Sequence, residues 1–144
     1  MTPHEPNDIN SAASPRCVNS KDAPQPVGPY CQAVVAGGFV FVSGQGGLDK
    51  NGNLVPGGVG PEARQAVSNI QAILKSAHSG CSLRHVVRVT IYYSDIRDGP
   101  KVNEVYQQMF GFPDGFKPAR MVFQVASQPI PGAHISIDAQ AVLP

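Results

Sequence analysis

Arg120 is the side chain in this sequence best suited to gripping a small anion. It ends the segment Phe116-Lys117-Pro118-Ala119-Arg120, after a loop containing Gly111, Pro113, Gly115 and Pro118, and opens the apolar run Met121-Val122-Phe123-Gln124-Val125-Ala126. A guanidinium keeps its charge at physiological pH, and its planar fork fits a carboxylate in two-point contact. Placing one at the mouth of an apolar strand is costly unless it holds something; the plain alternative is a structural ion pair or a rim arginine. A second loop, Gln128-Pro129-Ile130-Pro131-Gly132, leads to His134-Ile135-Ser136-Ile137-Asp138-Ala139-Gln140-Ala141-Val142. Apolar and polar residues alternate there, as in a strand with one buried face.

The elements that must position these residues can be read from period and punctuation. Ala23-Pro24-Gln25-Pro26-Val27-Gly28-Pro29-Tyr30 is a stiff extended lead-in whose prolines prevent helix. Gln32–Ala36 and Phe39–Ser43 read as a hairpin across Gly37-Gly38. The second of these strands is apolar on both parities, so both of its faces need cover. The glycine run Gly44-Gln45-Gly46-Gly47 has no lysine and no helix directly after it, unlike a phosphate loop, and a turn is expected at Asn51-Gly52. Pro61 suits the first position of a helix in which Ala63, Ala66, Val67, Ile70, Ile73, Leu74 and Ala77 recur at helical spacing up to Gly80. Val86–Tyr93 reads as a third strand, with Val87, Val89 and Ile91 on one parity. Asp98 is placed to cap a second helix whose shared face is Val102, Val105, Tyr106 and Met109. With the Arg120 and Ile135 strands the order is ββαβαββ, an α+β domain over 23–144. Residues 1–22, rich in proline and small polar residues, read as a flexible arm.

Composition removes several function classes. Charged residues are 15% of the 144-residue chain, against about 25% in average soluble proteins. The net charge is +1, and no run or helical stripe of Lys and Arg provides an electrostatic footprint for nucleic acid. No stretch approaches the ~20 apolar residues of a membrane span. Cys17, Cys31 and Cys81, like His4, His78, His85 and His134, show no metal-ligand spacing, so no metal is expected. An odd, sparse cysteine set fits a reducing compartment, with all three as packing or incidental thiols. The first residues lack the apolar core of a secretory signal, and Glu5 and Asp8 argue against a mitochondrial presequence; a cytoplasmic location is the expectation.

Two helices can cover only one face of a five-stranded sheet. Yet apolar residues occur on the other parity too: Val40 and Val42, or Phe39 and Phe41, with Val86, Tyr92 and Val122. An apolar sheet face of that size is not stable in water, so other copies of the same chain are expected to cover it in closed symmetry.

Several segments resemble one known family. They are Ala23-Pro24, Val27-Gly28-Pro29-Tyr30 and Gln32-Ala33-Val34, then Val42-Ser43-Gly44-Gln45, Ala63-Arg64-Gln65-Ala66 and Val102-Asn103-Glu104-Val105-Tyr106, and finally Pro118-Ala119-Arg120 with the alternating terminal strand. In this order, from about Ala23 to Val142, the chain resembles the YjgF/RidA group of reactive-intermediate deaminases, also known as perchloric-acid-soluble ribonucleases or translation inhibitors. The resemblance implies a chorismate-mutase-like fold (bacillus type), a homotrimer, and clefts between subunits. There a 2-imino or 2-enamino acid is hydrolysed to a 2-keto acid and ammonia without a cofactor. By the same resemblance Arg120 would clamp the substrate carboxylate. Tyr30, Ser43, Gly44 and Asn103 would line the cleft, and the Val122 backbone would face the imine nitrogen. An iminium carbon is already electrophilic, so orientation and a placed water carry much of the chemistry.

One departure bears on mechanism. Deaminating members carry Glu-Ile-Glu-Ala on the last strand, where this sequence has Ser136-Ile137-Asp138-Ala139, aligned by one extra residue within Pro129-Ile130-Pro131-Gly132. Ser136 is neutral and cannot act as a carboxylate base. Asp138 shares its face but lies roughly 6.5–7 Å along the strand. Hydrolysis with water placed by Ser136 or Asp138 is one expectation. Others are an enzyme acting on an imine or enamine in a specialised pathway without net deamination, and a trimer that binds small carboxylates without turnover. Ribonuclease action is disfavoured, since neither a basic groove nor a His/Lys/Glu set suited to phosphodiester cleavage is present. Each residue also has a structural reading: Tyr30 and Cys31 as packing, Asn103 as a solvated helix residue, Ser43 and Gly44 as a strand bend, Asp138 as a hydrogen-bonded strand residue.

Overall fold

The computed structural model describes residues 14–144. Its strands are β1 (Arg16–Val18), β2 (Ala33–Ala36), β3 (Phe39–Gly46), β4 (Val86–Tyr93), β5 (Ala119–Gln124) and β6 (Ile135–Val142); its α-helices are α1 (Val59–Ala77) and α2 (Gly99–Met109). One mixed sheet runs in the order β1-β2-β3-β6-β4-β5. Only β4 and β5 pair in parallel; the remaining neighbours are antiparallel. The β2–β3 hairpin turns at Gly37 and Gly38, whose φ values of 58° and 83° are cheap for glycine alone.

The alternation seen in the sequence decides which way each strand faces. Ile135, Ile137, Ala139 and Ala141 of β6 are buried, as are Val40 and Val42 of β3 and Val89, Ile91 and Tyr93 of β4. These residues meet Ala63, Ala66, Val67, Ile70, Ile73 and Leu74 of α1, and Val102 and Tyr106 of α2, in one core. On the opposite face Phe39, Phe41, Met121 and Phe123 lie between 42% and 48% exposed. Among the described residues, none covers this apolar face of the sheet.

The structure corrects four expectations. The sheet has six strands rather than five, because Arg16–Val18 pairs with Val35, Val34 and Ala33. That strand lies inside the segment expected to be a flexible arm, of which residues 1–13 fall outside the described residues. Cys17 and Cys31 are not thiols but a disulfide, with Cα atoms 5.6 Å apart; Cys81 is the free, buried cysteine. Val86, expected on the open face, is fully buried. A register shift between Val86 and Arg88 changes the strand's parity there. Val122 also belongs to the helix side, since it lies opposite the buried Ile91.

Candidate active site

Arg120 lies across from Val89 on β4. Directly opposed residues project to the same face, so Arg120 points to the helix side, at the edge of the sheet. Its Nη1 donates to Asn103 Oδ1 at 2.9 Å, and its guanidinium carbon sits 4.8 Å from the ring centre of Tyr106. Asn103, off the core face of α2, is thereby turned to the guanidinium. Among the described residues no carboxylate forms an ion pair with Arg120. A hollow of about 330 Å³ opens beside it, lined by Asn103, Tyr106, Gln107, Lys117, Pro118 and Arg120. Lys117 Nζ donates to the Phe110 carbonyl at 2.9 Å, which brings a second cation to this rim. Tyr106 is buried, and among the described residues its hydroxyl has no hydrogen-bond partner. Burial pushes its phenol up to about 12, against the opposing pull of the Arg120 charge.

Ser136 sits on the other face. It lies opposite Tyr92 and Gly46, one position out of phase with the buried Ile135 and Ile137. Its Oγ donates to Gln128 Oε1 at 2.9 Å, and Gln128 Nε2 donates to the Tyr92 carbonyl at 2.8 Å. The start of β6 is pinned by Glu62 of α1, a buried carboxylate that accepts from the His134 backbone N at 2.8 Å and meets its ring Nδ1 at 2.5 Å. Gly47 lets the loop after β3 press onto that helix, since a β-carbon there would lie 2.6 Å from the Glu62 Cα.

A second hollow, about 400 Å³, lies beside Ser136 and contains Tyr30, Ser43 and Gly44 among its lining residues. Its walls are set by buried amides. Gln32 Oε1 accepts from Ser20 N at 2.5 Å, while its Nε2 donates to the Ser20 and Pro24 carbonyls at 3.1 and 2.9 Å. Ser43 Oγ donates to the Cys31 carbonyl at 2.7 Å, tying the strand bend to the residue that carries the disulfide.

The sequence-expected residues therefore fall into two groups. Arg120 and Asn103 form one, and Tyr30, Ser43, Gly44 and Ser136 the other. Asp138 joins neither. It faces Arg88, Thr90 and Gln140 in a separate hollow of about 160 Å³ and accepts from the Tyr92 hydroxyl at 3.0 Å. Burial and the Asp138 carboxylate together raise the Tyr92 phenol. Val122 lines neither of the first two hollows. The roles of Gln128, Gln32 and Lys117 were not visible in the sequence because loop geometry, not local pattern, brings them in, and Tyr106 was read only as part of the second helix's apolar face. Among the described residues no group of three or more His, Cys, Asp or Glu side chains could hold a metal, and no helix is long and apolar enough to cross a membrane.

Among the described residues, one mixed sheet, two α-helices and this divided polar site place the protein among α+β proteins of one family. Residues 20–143 match the family model described as Endoribonuclease L-PSP, and the chain belongs to that family, the YjgF/Rid group. It is 44% identical over 128 residues to the 2-iminobutanoate/2-iminopropanoate deaminase of Capra hircus, covering 88% of this chain and 89% of that one. Among solved structures it is similar to the YjgF gene product of E. coli (32% identity, TM-score 0.81, covering 88% and 98% of the two chains). It is also similar to E. coli TdcF with bound serine (32% identity, TM-score 0.81, covering 90% and 99%).

Proposed function

We propose that this protein hydrolyses 2-imino acids, and their 2-enamino tautomers, to 2-keto acids and ammonia without a cofactor. The site is a cleft between copies of a homotrimer with a chorismate-mutase-like fold, and the catalytic unit is the 23–144 domain together with the Arg16–Val18 strand that pairs with it. The observation that carries this reading is the division of the site. Arg120 and Ser136 project from opposite faces of one sheet, two strands and three residues apart, which is about 14 Å between Cα atoms. No small substrate spans that gap through a sheet, whereas a neighbouring copy brings the halves together. The exposed Phe39, Phe41, Met121 and Phe123 supply the contact surface for such a neighbour.

In this arrangement Arg120, oriented by Asn103 and backed by the Tyr106 ring, takes the substrate carboxylate in two-point contact. The reacting carbon then lies over Gly44 and Ser136 of the next copy. Ser136 donates its hydroxyl hydrogen bond to Gln128 Oε1 and so leaves its oxygen lone pairs to accept from water. It orients the nucleophile without ionising it, and the electrophilic iminium supplies the driving force. The names of the relatives support the reaction class, and the serine-bound relative supports an amino-acid-sized occupant. Imino acids generated in place, with the keto acid and ammonia counted, test the reading. Hydrolysis above the buffer rate is expected, with Arg120→Ala costing about 100-fold in kcat/KM for two charge-assisted hydrogen bonds. No acceleration for any imino acid would refute it.

The missing carboxylate favours one second reading, in which the bound enamine is tautomerised or passed to another reaction. Consumption of the imine without release of ammonia would select it.

A further inference from the structure

We infer, resting on the imine-hydrolase reading, that the preferred substrate carries a large uncharged side chain, branched aliphatic or aromatic, rather than methyl or ethyl. The hollow beside Ser136, at about 400 Å³, has the size of pockets that enclose drug-like ligands. A two-carbon tail leaves most of it to water. Its apolar walls are Pro24, Pro26, Val27, Leu48, Pro129 and Ile130, and among the described residues no charged one lines it. Ile130 forms the part nearest the chemistry: its Cδ1 sits so close over Gly46 that a β-carbon there would come within 2.6 Å. Gly46 in turn faces Ser136 across the strands.

Most of the polar side chains of this wall already have a partner within the chain. Gln32 is held by Ser20 and Pro24, Gln25 Nε2 by the Ser20 carbonyl, Gln45 Nε2 by the Ser43 carbonyl, and Ser43 Oγ by the Cys31 carbonyl. Gln128 is held between Ser136 and Tyr92. What remains for a ligand is mainly apolar surface. A charged or strongly polar tail entering it would lose its hydration without replacement. An apolar tail gains with each methylene removed from water. With the carboxylate gripped by Arg120 of a neighbouring copy and the imine carbon over Ser136, the substrate tail falls to the volume that Leu48, Pro129 and Ile130 help to enclose.

The test uses the full chain and imino acids generated in place by amino-acid oxidases from alanine, 2-aminobutyrate, leucine, phenylalanine and glutamate. Semicarbazide trapping reports the hydrolysis rate. The leucine-derived imine is expected to exceed the 2-aminobutyrate-derived one by about tenfold or more in kcat/KM, at roughly fourfold per buried methylene. The glutamate-derived imine should be the slowest. Val27→Glu, an exposed change at the rim, should lower the leucine to 2-aminobutyrate ratio at least fivefold. A flat or inverted series, or an unchanged ratio in the variant, overturns the inference while leaving the hydrolase reading intact. If no imine is accelerated, that reading falls, and calorimetry with keto acids decides the pocket. Binding of 4-methyl-2-oxopentanoate about tenfold tighter than 2-oxobutanoate upholds the apolar tail site, and equal affinities overturn it.

Discussion

Ser136 donates its hydroxyl hydrogen bond to Gln128 at 2.9 Å, so the residue where the family resemblance places a glutamate is a fixed acceptor and not a base. Restoring a carboxylate there should add proton abstraction to orientation. Ser136→Glu is expected to raise the hydrolysis rate by at least about tenfold, general-base assistance being commonly worth 10²–10⁴. It should also create an acid limb in the pH–rate profile that the natural protein lacks. Ser136→Ala should cost only a few-fold. Steady-state rates from pH 5 to 9 check all three expectations.

The Cys17–Cys31 disulfide joins β1 to the segment between Tyr30 and Gln32, both of which line the larger hollow. Its loop of 14 residues is short enough that removing the cross-link should cost about 3 kcal/mol. Cys31→Ser, or reduction with a dithiol, should lower Tm and weaken keto-acid binding through loss of the anchored Tyr30 wall. Thermal melts with and without reductant, alongside calorimetry, measure both effects.

Tyr106 offers a linked stability test. Its phenol is pushed up to about 12, above the ordinary 10, because burial disfavours the phenolate. A raised folded-state value means that the neutral form's contribution is complete below pH 10 and is lost as pH climbs from 10 through about 12, up to about 2–3 kcal/mol. Tyr106→Phe should remove that part of the alkaline loss. At pH 7 it should be neutral or stabilising, since it deletes a buried hydroxyl with no partner among the described residues. Denaturant midpoints of the two proteins at pH 7 and 11 decide it.

Much of the fold was legible because period and burial agree. Ile135, Ile137, Ala139 and Ala141 alternate in the sequence and are all buried; the α1 stripe and the Gly37-Gly38 turn follow the same logic. What was not legible depends on distant partners. Arg16–Val18 carries no alternation and exists as a strand only because β2 offers an edge. An odd count of cysteines gave no hint that Cys17 reaches Cys31. Val86 misled because a local register shift overrides simple parity. At the site, Arg120 could be read from its type and position, while Gln128 could not. A glutamine in a proline-rich loop gains meaning only once the loop folds back on β4 and β6.

The central claim is that each site is shared between two copies, Arg120 from one and the Ser136 hollow from the next. Arg120→Ala and a Gly44→Trp variant that fills the hollow should each be inactive alone. Unfolded together in equal amounts and refolded, randomly mixed trimers should regain about one quarter of the natural activity, because a quarter of the clefts then combine two intact halves. Recovery near that level is the predicted result. Mixed trimers confirmed by mass but showing no activity above the separate variants would contradict the account.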